Sequence, residues 1–303
     1  MKNLSWLLYK GYYDGFAYWH NIKPSDEQTK KLINTFFKNK NKNFTEARLV
    51  DFKNVTIPNI ANSTFELHTV YPGLLMGSGY THGIGAIGEF KIGFQLDYST
   101  GLPILPGSSI KGVLRSVFPL IKVDSTTNEL VFAGDNERER ARERVKAKWI
   151  IALIEKIELP DFLSKTIQPK SEDVDDKILI LHTLIAEIFE GVRDITKENS
   201  NEKYYSIYNR NIFFDAIPIV SNHRGFLYGD DSITPHANPL RNPVPLLFLK
   251  VLPQITYQFN FKLEASAVEF KLNKDNLMLL FQKILLTIGL GAKTNVGYGQ
   301  FKP

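Results

Sequence analysis

The chain has 303 residues, no cysteine and a formal net charge of +5. Its length suffices for one large hydrophobic core or two small ones, and its apolar fraction of 43% with 23% charged residues is typical of a globular protein. The absence of cysteine excludes disulfides, thiolate metal sites and cysteine nucleophiles.

The distribution of apolar residues predicts neither a signal peptide nor a membrane segment. The N-terminal apolar run is too short for a signal peptide, and no window approaches the roughly 18 apolar residues that a membrane span requires. We therefore expect a cytoplasmic protein with no membrane partner. The mildly basic charge is compatible with a polyanionic partner, but many proteins that bind no nucleic acid are equally basic.

Residues 1–60 form a predicted N-terminal extension that is rich in aromatic side chains. Seven of the first 20 residues are aromatic, which favours packing against a core or a neighbouring protein over base stacking. Helical periodicity predicts a helix over 25–38 with Ser25 as its N-cap. The lysine and asparagine residues at 38–42 indicate a solvated loop.

Two stretches of alternating apolar and polar residues predict strands at 65–71 and 89–98. Between them lies a glycine-rich link, whose residues 83–88 match the pattern G-x-G-x-x-G. We reject a dinucleotide site, because the pattern leads into a strand and no acidic residue follows about 20 positions later in a βαβ unit. Tyr80 and His82 in this link are candidate ligand contacts, and a flexible connector is the alternative.

The stretch 102–119 combines a turn, a helix start and two cations. It predicts a helix over 109–118 that is capped by a serine hydroxyl. Free backbone N–H groups, hydroxyls and a lysine at a helix start form an anion site, although a surface helix with solvated cations explains the same residues. The candidate anion ligands are Ser108, Ser109, Lys111 and Arg115.

Residues 122–205 are charged and helical, and we interpret them as an inserted helical lobe. The basic run at 138–148 spreads round a helix at 100° per residue, so it predicts i,i+4 ion pairs and no one-sided basic face. An acidic link at 172–176 precedes a second predicted helix at 177–192.

A buried strand at 212–220 is followed by a long predicted loop at 221–245. Loops of this length in a compact domain are uncommon unless they are functional or disordered. Four prolines keep it irregular, and its cations interleave with aromatic residues, as single-stranded nucleic acid requires. The candidate contacts in this loop are His223, Arg224, His236 and Arg241.

The C-terminal part contains the clearest strand, 254–264, then a helix at 275–288 and a glycine-rich tail. Asn273 is the predicted N-cap of the helix and Gly289 its C′ residue. The glycines of the tail let another chain approach closely, and a last strand at 297–302 would have a nearly bare face. A loop that simply requires positive φ angles is the alternative. The candidate ligand residues in the tail are Gly291, Lys293, Thr294, Asn295, Gly297 and Gly299.

Two of these stretches together resemble the RAMP superfamily of CRISPR–Cas proteins. Residues 106–115 resemble the first-helix signature of that family, and residues 289–301 resemble its C-terminal glycine-rich loop. The motifs at 213–218, 234–236 and 243–245 further resemble the family of sixth RAMP subunits of type III-B (Cmr) effector complexes.

The resemblance implies an α+β fold with a ferredoxin-like (RRM-like) βαββαβ core in a single RAMP domain that spans 1–303. The elements predicted from the residues follow the same order. The resemblance further implies a non-catalytic guide-RNA-binding subunit of a type III-B antiviral effector complex, placed near the 3′ end of the guide. Its implied partners are guide (CRISPR) RNA, target RNA and other RAMP subunits, and neither a metal nor a cofactor is expected.

A metal-independent endoribonuclease that processes guide RNA is the second hypothesis, because some relatives in the resembled family are nucleases. Such chemistry requires a general acid and a general base around a 2′-hydroxyl, often histidines. The candidates are His20, His82, His223 and His236, but no pair has an informative spacing, so we expect no catalytic residue. A protein-only scaffold is the third hypothesis. RNA binding by the assembled complex and cleavage by the isolated chain discriminate the three.

Overall fold

The structure is a computed structural model, and its described residues are 3–48, 60–76, 83–90, 95–157, 174–193, 195, 203–233, 246–264 and 273–303. Four of the candidate ligand residues lie outside this part of the chain, namely Tyr80, His82, His236 and Arg241.

The described residues form six α-helices and nine strands. The helices α1 to α6 are, in chain order, Leu4–Trp6, Glu27–Thr45, Gly107–Ser116, Glu137–Glu155, Ile178–Ile185 and Lys274–Ile288. The strands β1 to β9 are Ser63–Thr69, Ile121–Val123, Leu130–Phe132, Ile212–Phe213, Ile217–Ser221, Tyr228–Ile233, Leu246–Val251, Ile255–Lys262 and Phe301–Lys302. None of the helices in these ranges combines the length and the apolar character needed to cross a membrane.

The main sheet is five-stranded and antiparallel, with β8 and β1 at its centre. β1 pairs with β8 from Ser63 opposite Phe261 to His68 opposite Thr256. β9 pairs with the outer edge of β1, while β4 and β5 both pair with β8. The hairpins β2–β3 and β6–β7 form separate two-stranded sheets. Apart from these hairpins, the order from β1 onward is β1, α3, α4, α5, β4, β5, β8, α6 and β9. The predicted order β, α, β, β, α, β is therefore interrupted by two further helices and by the division of one strand.

The core lies between this sheet and the helices, because alternate residues of the central strands are apolar. Tyr257, Phe259 and Phe261 of β8 are fully buried, and the Phe259 ring stacks on Phe65 of β1 at 5.2 Å between centroids. Phe281 of α6 packs against Phe261 at 5.6 Å. One continuous apolar cluster also includes residues of the N-terminal extension and of α4 and α5.

The helix α6 begins and ends where the sequence predicts. The Asn273 side chain accepts a hydrogen bond from the backbone N–H of Asn276 at 2.8 Å. Gly289 follows the helix with a φ of 72°, a conformation that glycine adopts without steric cost. Both terminal predictions are confirmed, because cap and C′ signals are local properties of the chain.

The predicted strand at 212–220 is wrong as a single element, since it is divided into β4 and β5. At the division, Asp215 accepts a hydrogen bond from the backbone N–H of Gly107 at 2.7 Å. Ala216 exchanges two backbone hydrogen bonds with Leu105. Asp215 and Ala216 therefore hydrogen-bond to the segment at the start of α3, and they do not pair with β8.

The boundaries of α2 also differ from the prediction. Asp26 caps the helix, and Ser25 does not, because the Asp26 carboxylate accepts from the N–H of Thr29 at 2.7 Å. The predicted loop at 38–42 is helical, since Asn41 in that stretch is buried and accepts a hydrogen bond from the hydroxyl of Tyr12 at 2.6 Å. Tertiary packing therefore overrides the polar composition of this stretch.

Three further predictions change in the structure. The first part of the predicted loop at 221–245 contains β6, which pairs with β7 along its length. Of the predicted strand at 89–98, residues 91–94 lie outside the described part, and its described portion forms only a bridge between Leu96 and Pro103. The predicted last strand at 297–302 is reduced to β9, because a 3-10 turn and positive φ angles precede it.

The charged helical segment contains α4, α5 and the unpredicted hairpin β2–β3. Glu137 forms ion pairs with Arg140 and Arg144, and Glu143 forms one with Lys146. These pairs have spacings of three and seven residues, so the predicted i,i+4 spacing is wrong although the charges do pair. The predicted second helix is α5, which continues as a π-helical turn to Glu190.

The G-x-G-x-x-G link at 83–88 wraps around a carboxylate of the same chain. Buried Glu89 accepts hydrogen bonds from the backbone N–H groups of Ile84, Gly85 and Ala86 at 2.9, 2.9 and 3.2 Å. The hydroxyl of Tyr13 donates a further hydrogen bond to it. The link therefore docks the N-terminal aromatic residues on the rest of the molecule.

The start of α3 generates a prediction about two glycines of one helix. A Cβ on Gly107 would lie 2.0 Å from the carbonyl oxygen of Phe213, whereas a Cβ on Gly112 would meet nothing within 4 Å. We expect Gly107→Ala to lower the free energy of unfolding by about 1–3 kcal/mol or more. Gly112→Ala, as the matched control, should raise it by up to about 1 kcal/mol. Urea unfolding of both variants measures this, and equal effects would contradict the steric explanation.

Candidate functional site

The start of α3 and the glycine-rich tail line one cleft of about 250 Å³. The two stretches are far apart in the sequence but meet here, as their resemblance to paired motifs predicts. The residues that line the cleft are Met76, Gln95, Leu105, Pro106, Ser109, Val113, Leu290, Gly291 and Ala292. Of the candidate ligands, the cleft brings together Ser109 and Gly291.

The predicted serine caps of α3 are wrong, because the helix begins one residue before them. Pro106 occupies the N-cap position, which provides no side-chain cap, and the side chains of Ser108 and Ser109 are exposed. Asp215 replaces the missing cap by accepting from the N–H of Gly107. Within the described residues, the backbone N–H groups of Ser108 and Ser109 have no acceptor, so they remain available at the helix start.

Two glycines of the tail serve close contacts within the chain. A Cβ on Gly291 would lie 2.3 Å from the carbonyl oxygen of Leu75, and one on Gly299 would lie 2.1 Å from that of Leu290. Both residues also have positive φ angles, 110° and 67°. The alternative of a structural loop therefore accounts for these two positions.

Gly297 is in a different environment. Its φ is 96°, and a Cβ built on it would meet only the ring of Pro72, at an ordinary distance of 3.5 Å. The residue before it, Val296, is 62% exposed, and Asn295 is exposed as well. The turn from Thr294 to Gly297 thus presents a solvent-facing surface.

The three candidate cations of α3 and the tail occupy three environments. Lys111 is half-exposed, with its ammonium 5.8 Å from the ring centroid of Phe213, on a face of α3 that does not line the cleft. Lys293 is half-exposed at the start of the 3-10 turn, with a φ of 59°, and forms no ion pair with the described residues.

Arg115 stabilises the segment that follows its own helix. Its guanidinium donates to the carbonyl oxygens of Phe118 and Pro119 at 3.5 and 3.3 Å. Burial lowers the pKa of this guanidinium, while the carboxylates of Glu190 and Glu143 oppose that effect. Hydrogen bonds to the segment that follows the helix give Arg115 a structural role in the fold.

A partly buried polar cluster at the tail was not predicted from the sequence. Asp231 of β6 accepts hydrogen bonds from the ammonium of Lys250 at 2.7 Å and from the hydroxyl of Tyr298 at 2.8 Å. Burial, reinforced by the Asp231 carboxylate, raises the pKa of the Tyr298 phenol. Pairing of β6 with β7 brings Asp231 and Lys250 together. The sequence predicted a loop at this position, so it gave no indication of this cluster.

The remaining described candidates lie in a second cleft of about 520 Å³. His223 is held by a hydrogen bond between its Nε2 and the carbonyl oxygen of Pro253 at 2.7 Å. Arg224 is exposed, with a left-handed φ of 54°. The structure does not bring these residues to the α3 cleft. Across the described ranges, no three His, Cys, Asp or Glu residues lie close enough to hold a metal ion.

The chain matches the sequence model of one protein family. A family model described as the RAMP superfamily matches residues 66–302. No curated protein matches the chain.

Three solved structures are similar at low sequence identity. A chain of the type III-B Cmr-beta complex bound to cognate target RNA is 22% identical, over 79% of this chain and 57% of that chain, with a TM-score of 0.41. Cmr6 from Pyrococcus furiosus is 18% identical over 79% of this chain and 96% of its own, with a TM-score of 0.39. A chain of a type III-A Csm–crRNA–target RNA ternary complex is 16% identical over 69% of this chain and 52% of that chain, with a TM-score of 0.27.

The Asp231 group generates a prediction about pH. Partial burial opposes ionisation of Asp231, but the hydrogen bonds from Lys250 and Tyr298 outweigh it, so the pKa of Asp231 is lowered. A lowered pKa stabilises the fold above the unfolded value of about 3.9, and this stabilisation is lost as the pH falls through the lower folded value. We expect Asp231→Asn to lower the free energy of unfolding at pH 7 by about 1–2 kcal/mol.

The difference between Asp231→Asn and the unmodified chain should shrink as the pH falls from about 5 to about 3. Denaturant unfolding at several pH values measures it. Asp230→Asn, an exposed neighbour on the same strand, is the matched control and should differ little at any pH. A difference for Asp231→Asn that stays constant over this range would contradict the assignment.

Proposed function

The chain belongs to the RAMP superfamily, and on this premise we propose that it is a non-catalytic RNA-binding subunit of a type III-B CRISPR effector complex. Its proposed ligand is the guide RNA near the 3′ end, with target RNA and other RAMP subunits as further partners. The observation that carries the proposal is the α3 cleft, because it unites the two stretches that resemble the family motifs.

We also infer a ferredoxin-like core. The antiparallel strand order β9, β1, β8 and then β4 with β5 supports this inference. So does the chain order, in which α3 follows β1 and α6 follows β8. In such a core the start of the first helix and the segment before the last strand lie near one another, as the cleft requires.

The α3 cleft supplies hydrogen-bond donors for phosphate and few groups that could read a base. The unpaired N–H groups of Ser108 and Ser109 point out of the helix start, where the helix dipole favours an anion. The Ser109 side chain lines the cleft, and Lys293 adds a positive charge to the tail. Contacts to phosphate position a strand without reading its sequence, which suits a subunit that must accept any guide.

Asp215 limits this anion site. Its carboxylate already accepts from Gly107 and opposes a second negative charge at the same helix start. The proposed phosphate contact therefore uses the N–H groups after Gly107, on the side of the helix that faces the tail.

The proposal predicts a change in the salt dependence of binding. If Lys293 contacts one phosphate, Lys293→Ala should weaken binding of unrelated RNA sequences to a similar extent. The slope of log affinity against log salt should become shallower by about 0.7 for single-stranded RNA. We expect the same from Lys111→Ala, and the measurement is a salt titration of guide binding by the assembled complex.

Lys31→Ala is the matched control for these variants. Lys31 is exposed on α2 and forms no ion pair with the described residues. Its loss should leave the slope unchanged. Arg115→Ala is less informative, because that side chain also holds the segment after its own helix. Unchanged slopes for both Lys293→Ala and Lys111→Ala would place the RNA elsewhere.

We further propose that the chain has no intrinsic nuclease activity. The support is the absence of a recognisable acid–base pair in the sequence, and His223 is engaged with the carbonyl oxygen of Pro253. The purified chain should therefore leave guide and target RNA intact. Cleavage that His82→Ala or His236→Ala abolishes, without loss of folding, would establish the endoribonuclease hypothesis instead.

A further inference from the structure

One large aromatic side chain beside the tail has no evident role in the fold. Tyr71 follows β1 and is 83% exposed. An aromatic ring exposed to this extent contributes little to a core, so it remains accessible to a ligand.

The backbone that carries Tyr71 is fixed. The N–H of Gly73 donates to the carbonyl oxygen of Val70 at 2.7 Å, which closes the turn around Tyr71. The N–H of Val70 donates to Gln300 at 3.1 Å, and the N–H of Gly299 donates to Gly73 at 2.9 Å. The turn is therefore clamped on both sides to the tail, and Tyr71 is presented on a rigid support.

The turn and the exposed part of the tail are in contact. A Cβ on Gly297 would lie 3.5 Å from the ring of Pro72, the residue next to Tyr71. Val296, the residue before Gly297, is also exposed. Two exposed apolar side chains thus lie on two touching segments.

The tail that clamps this turn carries two cations. Lys293 begins the 3-10 turn that contains Val296, and exposed Lys302 lies on β9. The nearby carboxylate of Asp231 is already paired with Lys250. An exposed ring on a rigid support, with cations alongside, is the combination that binds single-stranded nucleic acid.

We propose that Tyr71 is a stacking platform for one unpaired base of the RNA whose backbone the tail holds. This inference rests on the proposed function and adds to it a contact with a base. Stacking on a ring face does not depend on base identity, because every base has a π face. A tyrosine on a fixed turn also loses little conformational freedom when a base stacks on it.

The test compares two single-stranded RNA oligomers of equal length, one with bases and one abasic throughout. They are titrated against the full chain by fluorescence anisotropy. Tyr71→Ala should weaken binding of the oligomer with bases about 5- to 100-fold, the loss expected for one stacked base. It should not change binding of the abasic oligomer or the salt slope. Tyr71→Phe and Tyr71→Trp should bind like the unmodified chain.

Lys293→Ala should give the converse result, with weaker binding of both oligomers and a shallower salt slope. Tyr98→Ala is the matched control, because Tyr98 is 85% exposed on another turn. It should bind both oligomers normally. Tyr71→Ala should keep its thermal unfolding midpoint, since the removed ring is exposed.

Three results would overturn the inference. Normal binding of the oligomer with bases by Tyr71→Ala, with the Lys293→Ala effect intact, would refute stacking and leave the proposed function standing. A Tyr71→Ala defect confined to subunit assembly would identify a protein contact. If the unmodified chain binds no RNA, free or in the complex, the proposed function fails and the stacking platform fails with it.

Discussion

Backbone contacts that leave no room for a Cβ atom hold the candidate site together. Gly107 lies against the carbonyl oxygen of Phe213, Gly291 against that of Leu75, and Gly299 against that of Leu290. The first contact sets the start of α3 on the edge of the sheet, the second places the tail against the segment that follows β1, and the third closes the tail on itself. The α3 cleft exists because these approaches are possible, so these glycines support the site by their packing.

In two glycine-bearing stretches, a carboxylate of the chain accepts hydrogen bonds from backbone N–H groups, but the two carboxylates occupy different numbers of these groups. In the link at 83–88, the Glu89 carboxylate takes three backbone N–H groups and a tyrosine hydroxyl, so the anion site is filled from within. At the start of α3, the Asp215 carboxylate takes one N–H and leaves the following two without a described acceptor. The second stretch can therefore accept an outside anion, whereas the first is part of the fold.

Local signals explain what could be predicted from the sequence. The alternation of β8, the Asn273 cap and the Gly289 C′ residue each depend only on a few neighbouring residues. The structure contains all three. The Asp215 cap, the division of the strand at 212–220 and the extension of α2 depend on partners distant in the sequence. The prediction of the site also fails where contacts are distant in the sequence. The glycine pattern located the tail, whereas the roles of Gly291 and Arg115 follow only from their contacts in the structure.

Ultraviolet crosslinking of the assembled complex to its guide RNA, with mass-spectrometric mapping of the modified peptides, tests the central claim most directly. The account predicts crosslinks in the peptides that contain 105–116 and 289–300, at guide positions close to the 3′ end. An intact complex that crosslinks only through other segments of this chain, such as α4, or through none, would contradict it.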